Sequence, residues 1–419
     1  MIKILEKSSS IAVFLTVFLI PFYFFRFTIL GLPTNILEVA ILVTVFLVLT
    51  QLCLKKQRPL WLPIWSYLFI LTSAIGYLLA DDKLVALGII KGWFVLPLLF
   101  GWALANKLKR DDIPKIAWAF LISGLVIALW AITQKFGFIT TLFYQKNDPS
   151  FEQYLVGNFR AFGPFESPNY LAMFLVPISL LSMPTLESSK SRIINFFIYF
   201  SWFFIILAVF FSGSRAGLIA LFLSPVVFII ASGKVGDIKS FVLRLGLIIT
   251  SFIALAGVVV TYGFNPGSDS IRLEIYKYSL KLVSINPILG IGFGNFQDRI
   301  AAVSVGVESF RIFALPYALH PHNLFLAIWL YQGVLGLLFF LLMLTSFLVR
   351  IKRSLKFELS HAAYFSAIVA ILLHGLFDTT YFKNDLSVIF WLTLAVGLVM
   401  SNKKIKPDKK IENKNSWWG

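Results

Sequence analysis

Long apolar runs recur along this chain from one end to the other, and they constrain its fold more than any motif does. Each is about 17–25 residues, the length a helix needs to cross the hydrocarbon core of a bilayer. We assign them to residues 10–30, 35–54, 60–80, 84–106, 115–136, 168–186, 193–212, 215–232, 241–262, 323–349, 360–380 and 386–401. With 58% hydrophobic residues in 419, the chain exceeds the roughly half-apolar composition of a soluble domain. The expected fold is an all-α polytopic membrane protein of about 12 transmembrane helices, one integral domain over residues 1–419. A large extracytoplasmic loop with amphipathic helices is expected between spans nine and ten, at 263–322, and a basic tail at 402–419. The first apolar run has no clear small-residue cleavage site and reads as a retained span rather than a removed signal. Cys53 is the single cysteine, so an intrachain disulfide is impossible and a Cys-based metal or redox role is disfavoured.

The net charge of +17 is strongly asymmetric along the chain. Lys3 and Lys7, Lys55 to Arg58, Lys107 to Lys115, Lys190 and Arg192, Lys234 to Arg244, Arg350 to Lys356 and the lysines after Asn402 all fall on one side of the twelve-span layout. By the positive-inside rule that side is cytoplasmic and holds both termini. This pattern accounts for the charge better than nucleic-acid binding does.

A few polar residues break the apolar pattern. Lys91, in GIIKGWF, lies inside span four; an ammonium at that depth is a functional candidate, with snorkelling as the alternative. Arg26 sits in the aromatic cluster FYFFRF and reads as an interfacial anchor. Asp81-Asp82 reads as a solvated turn rather than a metal site, because no further ligand stands close by in sequence. In the loop at 137–167, Arg160 could bind an anion or pair with Glu152 or Glu166. Ser167 followed by Pro168 reads as the cap and first residue of span six. In FSGSRAG, Ser212 or Ser214 can cap span eight, placing Arg215 in its first turn. A cation there opposes the helix dipole, and an anion would be held by free N–H groups and the guanidinium together.

The 263–326 stretch carries the rest. Asp269 or Ser270 is expected to cap a helix beginning near Ile271, with Arg272 in its first turn. Glu274, Lys277, Tyr278 and Lys281 fall on one face, and Leu273, Tyr276, Leu280 and Val283 on the other. Arg272 goes with the apolar face and so should turn inward. The glycines of PILGIGFGNF follow no strand, so close packing or a turn fits them better than a dinucleotide site. In HPHNLFL, His320 and His322 show no third metal ligand in sequence, His361 lying at the far end of span eleven. No metal site is expected, and His322 reads as a general base near two arginines. His374 and Asp378, four apart near the end of span eleven, could form a helical polar pair supporting the site.

The twelve-span layout, RAFGPFESPNYLA, SGSRAG, RLEIYKYSLKLVSINPILGIGFGNF and HPHNLFLAIWLYQGVLG together resemble the O-antigen ligase and O-antigen polymerase superfamily. The match covers roughly Arg160 to Leu337. The resemblance implies a GT-C-type membrane glycosyltransferase of the bacterial inner membrane, with its site facing the periplasm. Its donor would be a glycan on undecaprenyl diphosphate. Its acceptor would be lipid A-core for a ligase, or another lipid-linked chain for a polymerase. Arg215, Arg272 and His322 match the family's catalytic residues, while His320 lies outside its pattern. Lys91, Arg160, His320 and Asn323 are then expected substrate contacts. No cofactor is implied, and no DxD motif is present. Membrane lipids are the expected surroundings. A lipid-linked glycan transporter is the rival class, although no internal repeat supports it.

Overall fold

The computed structural model describes residues 2–29, 31–137, 160–188, 191–231, 245–246, 248–251, 253, 255–257, 266–354 and 359–401. Asp148, Glu152 and the basic tail at 402–419 lie outside them. Among the described residues, eight helices are long and apolar enough to cross a membrane, and shorter apolar helices lie at Ile64–Leu78, Arg215–Ile230, Ile248–Gly257 and Leu359–Gly375. Each overlaps one of the twelve runs assigned from sequence. The protein is an all-α, multi-pass membrane protein.

In chain order the helices used below are α1 (Ile2–Leu19), α2 (Ile36–Leu54), α3 (Ile64–Leu71), α4 (Ser73–Leu78), α5 (Lys83–Ile89), α6 (Leu96–Lys107), α7 (Ile113–Lys135), α8 (Pro168–Leu181), α9 (Arg192–Ser212), α10 (Arg215–Ala231), α11 (Pro266–Ile285), α12 (Phe296–Val303), α13 (Leu324–Ser354), α14 (Leu359–Gly375) and α15 (Asn384–Ser401). A π-helical turn, Ile90–Val95, joins α5 to α6. Helix α15 is buried almost all round and α8 nearly so. They form the middle of the bundle, packed against α6 and α14. By contrast α9 presents Ile193, Phe196 and Phe203 outward, as a lipid-facing helix would.

The first span differs from its expected position. Helix α1 already begins at Ile2 and ends at Leu19. Pro21, which has no N–H to continue the ladder, sits in a 3-10 turn at Ile20–Phe22. Two strands follow, β1 (Arg26–Ile29) and β2 (Leu32–Asn35), paired antiparallel with Arg26 opposite Asn35. Arg26 therefore stands on a hairpin. Asn35 ends the hairpin and caps α2, its Oδ1 accepting from the Glu38 N–H at 3.0 Å.

The glycine run forms a wedge. Helix α13 is broken at Gly333 (φ 72°, ψ −176°), and the run from Pro287 satisfies the backbone groups this break exposes. The Val334 N–H donates to the Ile288 carbonyl at 3.0 Å, the Ile291 N–H to the Leu330 carbonyl at 2.6 Å, and the Trp329 indole to the Pro287 carbonyl at 2.7 Å. On its other side, the Phe293 N–H donates to the Gly76 carbonyl at 3.0 Å. Asn295 clasps the end of α4, donating to the Leu79 carbonyl at 2.9 Å and accepting from the Asp81 N–H at 3.0 Å. Gly290 to Phe293 are buried, whereas Pro287, Ile288 and Leu289 are exposed, so protein encloses the inner part of this irregular backbone. Asp81 pairs with Arg299 at 3.0 Å, and Asp82 caps α5 through the Leu84 and Val85 N–H groups. Both aspartates thus have structural partners.

Candidate functional site

Local sequence places the first arginine. Gly213, at φ 60°, closes α9. Ser214 Oγ then accepts from the Gly217 N–H at 3.3 Å, which starts α10 and leaves Arg215 in its first turn. A Cβ on Gly217 would come within 2.8 Å of Ala172 Cβ and 3.4 Å of His374 Cε1. The start of α10 is thereby pressed against α8 and the end of α14.

Arg215 has a bidentate partner that sequence reasoning assigned otherwise. Its guanidinium donates to both oxygens of Asp269, Nη1 to Oδ2 at 2.9 Å. Helix α11 begins at Pro266, so Asp269 lies within its first turn instead of capping it. Asp269, Arg272 and Tyr276 then stand at i, i+3 and i+7, along one face of α11. Tyr276 donates its hydroxyl to the His322 carbonyl at 2.9 Å. Burial pushes that hydroxyl up to about 12, against the pull of the Arg272 charge, so it stays a donor. Seven residues of helix rise span about 10 Å. Arg215 is thus tied to one end of this stretch and the His322 backbone to the other, with Arg272 between.

Arg272 is half-buried and makes no hydrogen bond or ion pair with the described residues. Its charge nevertheless acts on Asp378, His320 and His374. The inward orientation expected for it agrees with this. The expected apolar face does not: Leu273 and Leu280 are exposed, while Ile275, Tyr278, Ser279, Leu282 and Val283 are buried. The packing face is rotated so that Tyr278 packs in a tilted contact against Phe310, ring centroids 4.3 Å apart.

The histidines are held by the entry to α13. Asn323 Oδ1 accepts from the Phe325 and Leu326 N–H groups, both at 3.0 Å, and its amide donates to the Leu376 carbonyl at 3.0 Å. Asn323 is therefore an N-cap. His322, just before it, has φ 49°, a left-handed conformation that a non-glycine residue rarely adopts. This turn folds the two imidazoles together, ring centroids 4.2 Å apart. His322 Nδ1 lies 3.5 Å from Asp378 Oδ1 and His320 Nδ1 lies 3.8 Å from it. On their outer edges, His322 Nε2 is 3.2 Å from the Tyr317 carbonyl and His320 Nε2 is 3.3 Å from the Tyr170 hydroxyl.

Asp378 is the centre of this cluster. It lies in the loop after α14 and is nearly fully buried. Its backbone N–H donates to the His374 carbonyl at 3.1 Å, but its carboxylate turns to the histidines and to Asn169, 3.3 Å away. The side-chain pair expected between His374 and Asp378 is thus replaced by a backbone bond. His374 Nε2 is buried without a hydrogen-bond partner. Burial raises the Asp378 pKa, yet the His322 contact, followed by the Arg272 charge, works against it and the carboxyl lies below the usual range. His320 is lowered to about 3, first by burial and then by the neighbouring His322, so it is neutral at physiological pH.

The remaining candidates divide. Arg160 Nε donates to the Ser212 carbonyl at 2.6 Å, and its guanidinium reaches Asn169 Oδ1 at 3.3 Å. Through Asn169 it joins the Asp378 cluster. Glu166 does not pair with Arg160; it takes Lys383 at 2.6 Å, and that ammonium lies 3.7 Å over the Tyr170 ring. Lys91 stands apart, paired with Glu38 at 2.8 Å and donating to the Pro33 carbonyl at 2.6 Å. Sequence reasoning missed Asn169, Tyr170, Tyr276 and Lys383. It also set aside a metal for want of a third ligand. Asp378 supplies one: His320, His322 and Asp378 each offer an atom, all within 4.8 Å of one another.

Comparison with known proteins covers the stretch that carries part of this site. The family model described as O-Antigen ligase matches residues 200–341, which hold Arg215, Arg272 and both clustered histidines. A protein of Rickettsia felis, provisionally named a polysaccharide ligase, is 26% identical over 147 residues. Proteins of Rickettsia typhi and Rickettsia prowazekii with the same provisional name are 28% identical over 143 residues. Each match covers 34% of this chain and 34% of the relative. Over residues 200–341, about a third of its length, the chain is similar to the O-antigen ligase family.

Proposed function

We propose that the protein is a glycosyltransferase on the periplasmic face of a bacterial inner membrane, with both termini cytoplasmic. It moves a glycan from undecaprenyl diphosphate to an acceptor sugar hydroxyl, and the acceptor is lipid A-core, as for an O-antigen ligase. The observation that carries this reading is Arg272: a half-buried cation with no hydrogen-bond or ion-pair partner among the described residues, set between Arg215 and His322 on one face of α11.

A buried cation is costly unless an anion joins it. The roughly 10 Å between the two ends of the α11 face accommodates a diphosphate beside the arginines with a sugar toward His322. Arg215 and Arg272 would stabilise charge on the departing phosphate. Asp269, which holds Arg215 in the free protein, would share it with that phosphate. His322 has one N–H in its neutral form and two oxygens to face. With Nδ1–H directed at Asp378, Nε2 offers the lone pair. The acceptor hydroxyl would take the place of the exposed Tyr317 carbonyl opposite Nε2 and give up its proton there. The acceptor oxygen then bonds to the anomeric carbon as the carbon–oxygen bond to phosphate breaks, inverting the centre. The arginines supply electrostatic stabilisation that a metal supplies elsewhere.

A strain lacking the gene tests the choice of acceptor. Gel analysis of lipid-linked and lipopolysaccharide fractions should show long glycan retained on the lipid carrier and none on lipid A-core. Accumulation of single repeat units would instead identify a polymerase and overturn the ligase reading.

A further inference from the structure

We propose that His320, His322 and Asp378 form a site for a transition-metal ion of the zinc type, and that an ion there switches the enzyme off. Three atoms converge. His320 Nδ1 accepts a long hydrogen bond from the His322 backbone N–H at 3.4 Å, which places the proton on Nε2 and which a metal ion would displace from the Nδ1 lone pair. His322 Nδ1 is buried with no hydrogen-bond partner and faces Asp378 Oδ1 at 3.5 Å. When His322 carries its proton on Nε2, donated to the Tyr317 carbonyl, neither imidazole Nδ1 carries a proton, and both lie with an Asp378 oxygen within 4.8 Å of one another.

That donor set suits zinc and other imidazole-preferring divalent ions, and leaves a fourth position open. It does not suit magnesium or calcium, which take oxygen ligands. The outer partners of a metal site are already in place. The Tyr170 hydroxyl stands at His320 Nε2, the Tyr317 carbonyl at His322 Nε2, and the Asn169 amide at Asp378 Oδ2. Such partners fix the tautomer and ring orientation of ligating histidines. Arg272 opposes the ion, since its charge reaches both Asp378 and His320. The site is therefore weaker than a structural zinc centre, and its occupancy reversible.

The two uses of His322 exclude each other. As a base it needs Nδ1–H toward Asp378 and a lone pair on Nε2. As a ligand it needs its lone pair on Nδ1 and its proton on Nε2. A bound ion removes the base by selecting the wrong tautomer and also takes Asp378, which orients it. Metal binding itself does not depend on the assigned reaction; inhibition by the ion rests on it.

The test uses full-length protein without a histidine tag, purified in detergent and titrated with Zn²⁺ and with Co²⁺. One ion should bind per chain, with visible absorption from Co²⁺ in a nitrogen–oxygen site. His320→Gln and Asp378→Asn should each weaken binding by at least the roughly 10–100-fold that loss of an outer partner alone costs. Tyr170→Phe, which preserves the ring and its packing, should weaken it within that range and covers the case in which the other variants fail to fold. Absence of stoichiometric binding to the wild type would overturn the site. So would binding undiminished in whichever of these variants fold. Stoichiometric binding that leaves glycan transfer unchanged would overturn the switch while leaving the site intact.

Discussion

Arg272→Ala should lower glycan transfer by roughly 10²–10³-fold, the cost of removing one donor aimed at developing charge, and leave the folded state as stable as before. The two halves of this expectation come from one observation. Arg272 has no hydrogen-bond or ion-pair partner among the described residues, so its truncation breaks no direct pair. Unfolding midpoints in detergent should match those of the wild type. Arg272→Lys should recover only part of the activity, since a point charge cannot grip phosphate bidentately. Arg215→Ala should behave differently. It releases Asp269 from a bidentate pair, so activity and stability should fall together. A marked stability loss in Arg272→Ala, with near-normal transfer, would make Arg272 a packing residue.

Gly333→Ala should produce the largest loss of stability in the chain. The residue lies at φ 72° and ψ −176°, a region essentially reserved for glycine, and an added Cβ would fall 2.1 Å from the Ile288 carbonyl oxygen. Backbone strain and overpacking together cost about 2–6 kcal/mol. The wedge would have to leave the break in α13, exposing the Leu330 carbonyl and the Val334 N–H it now satisfies. Gly290→Ala should act in the same way, its Cβ meeting the Leu330 carbonyl oxygen at 2.4 Å. Gly88→Ala is the control. No atom lies within 4 Å of its Cβ position and its φ is ordinary, so it should be neutral or mildly stabilising. Denaturant or thermal unfolding of the three variants in detergent checks the contrast, and equal midpoints would remove the wedge from the account.

What was legible in the chain follows from what local chemistry can encode. The apolar runs could be read because a bilayer demands a fixed length of unbroken hydrophobicity. Ser167 as a cap, the tight FSGSRAG hairpin and the inward Arg272 were also readable, each resting on neighbours within a turn. The break at Gly333 was hidden because its sequence continues apolar on both sides, and only the distant run at 287–291 shows how its backbone is satisfied. Asp378 was placed beside His374 by helical spacing. Its carboxylate instead crosses to residues more than fifty positions earlier, a contact no periodicity can announce. For the same reason Asp269 was taken for a cap when its partner lies on another helix. The resemblance supplied Arg215, Arg272 and His322 as a set; the structure adds the face of α11 that links them.

The central claim is that Arg215, Arg272 and His322 form the site of a glycosyl transfer, and reconstituted transfer tests it most directly. Purified protein in liposomes, supplied with undecaprenyl diphosphate-linked glycan and lipid A-core in the presence of EDTA, should join the two through a new glycosidic bond. His322→Ala should form that product at least roughly 10²-fold more slowly, as loss of a general base requires. Undiminished turnover by His322→Ala, or movement of the donor across the bilayer with no bond formed, would contradict the account.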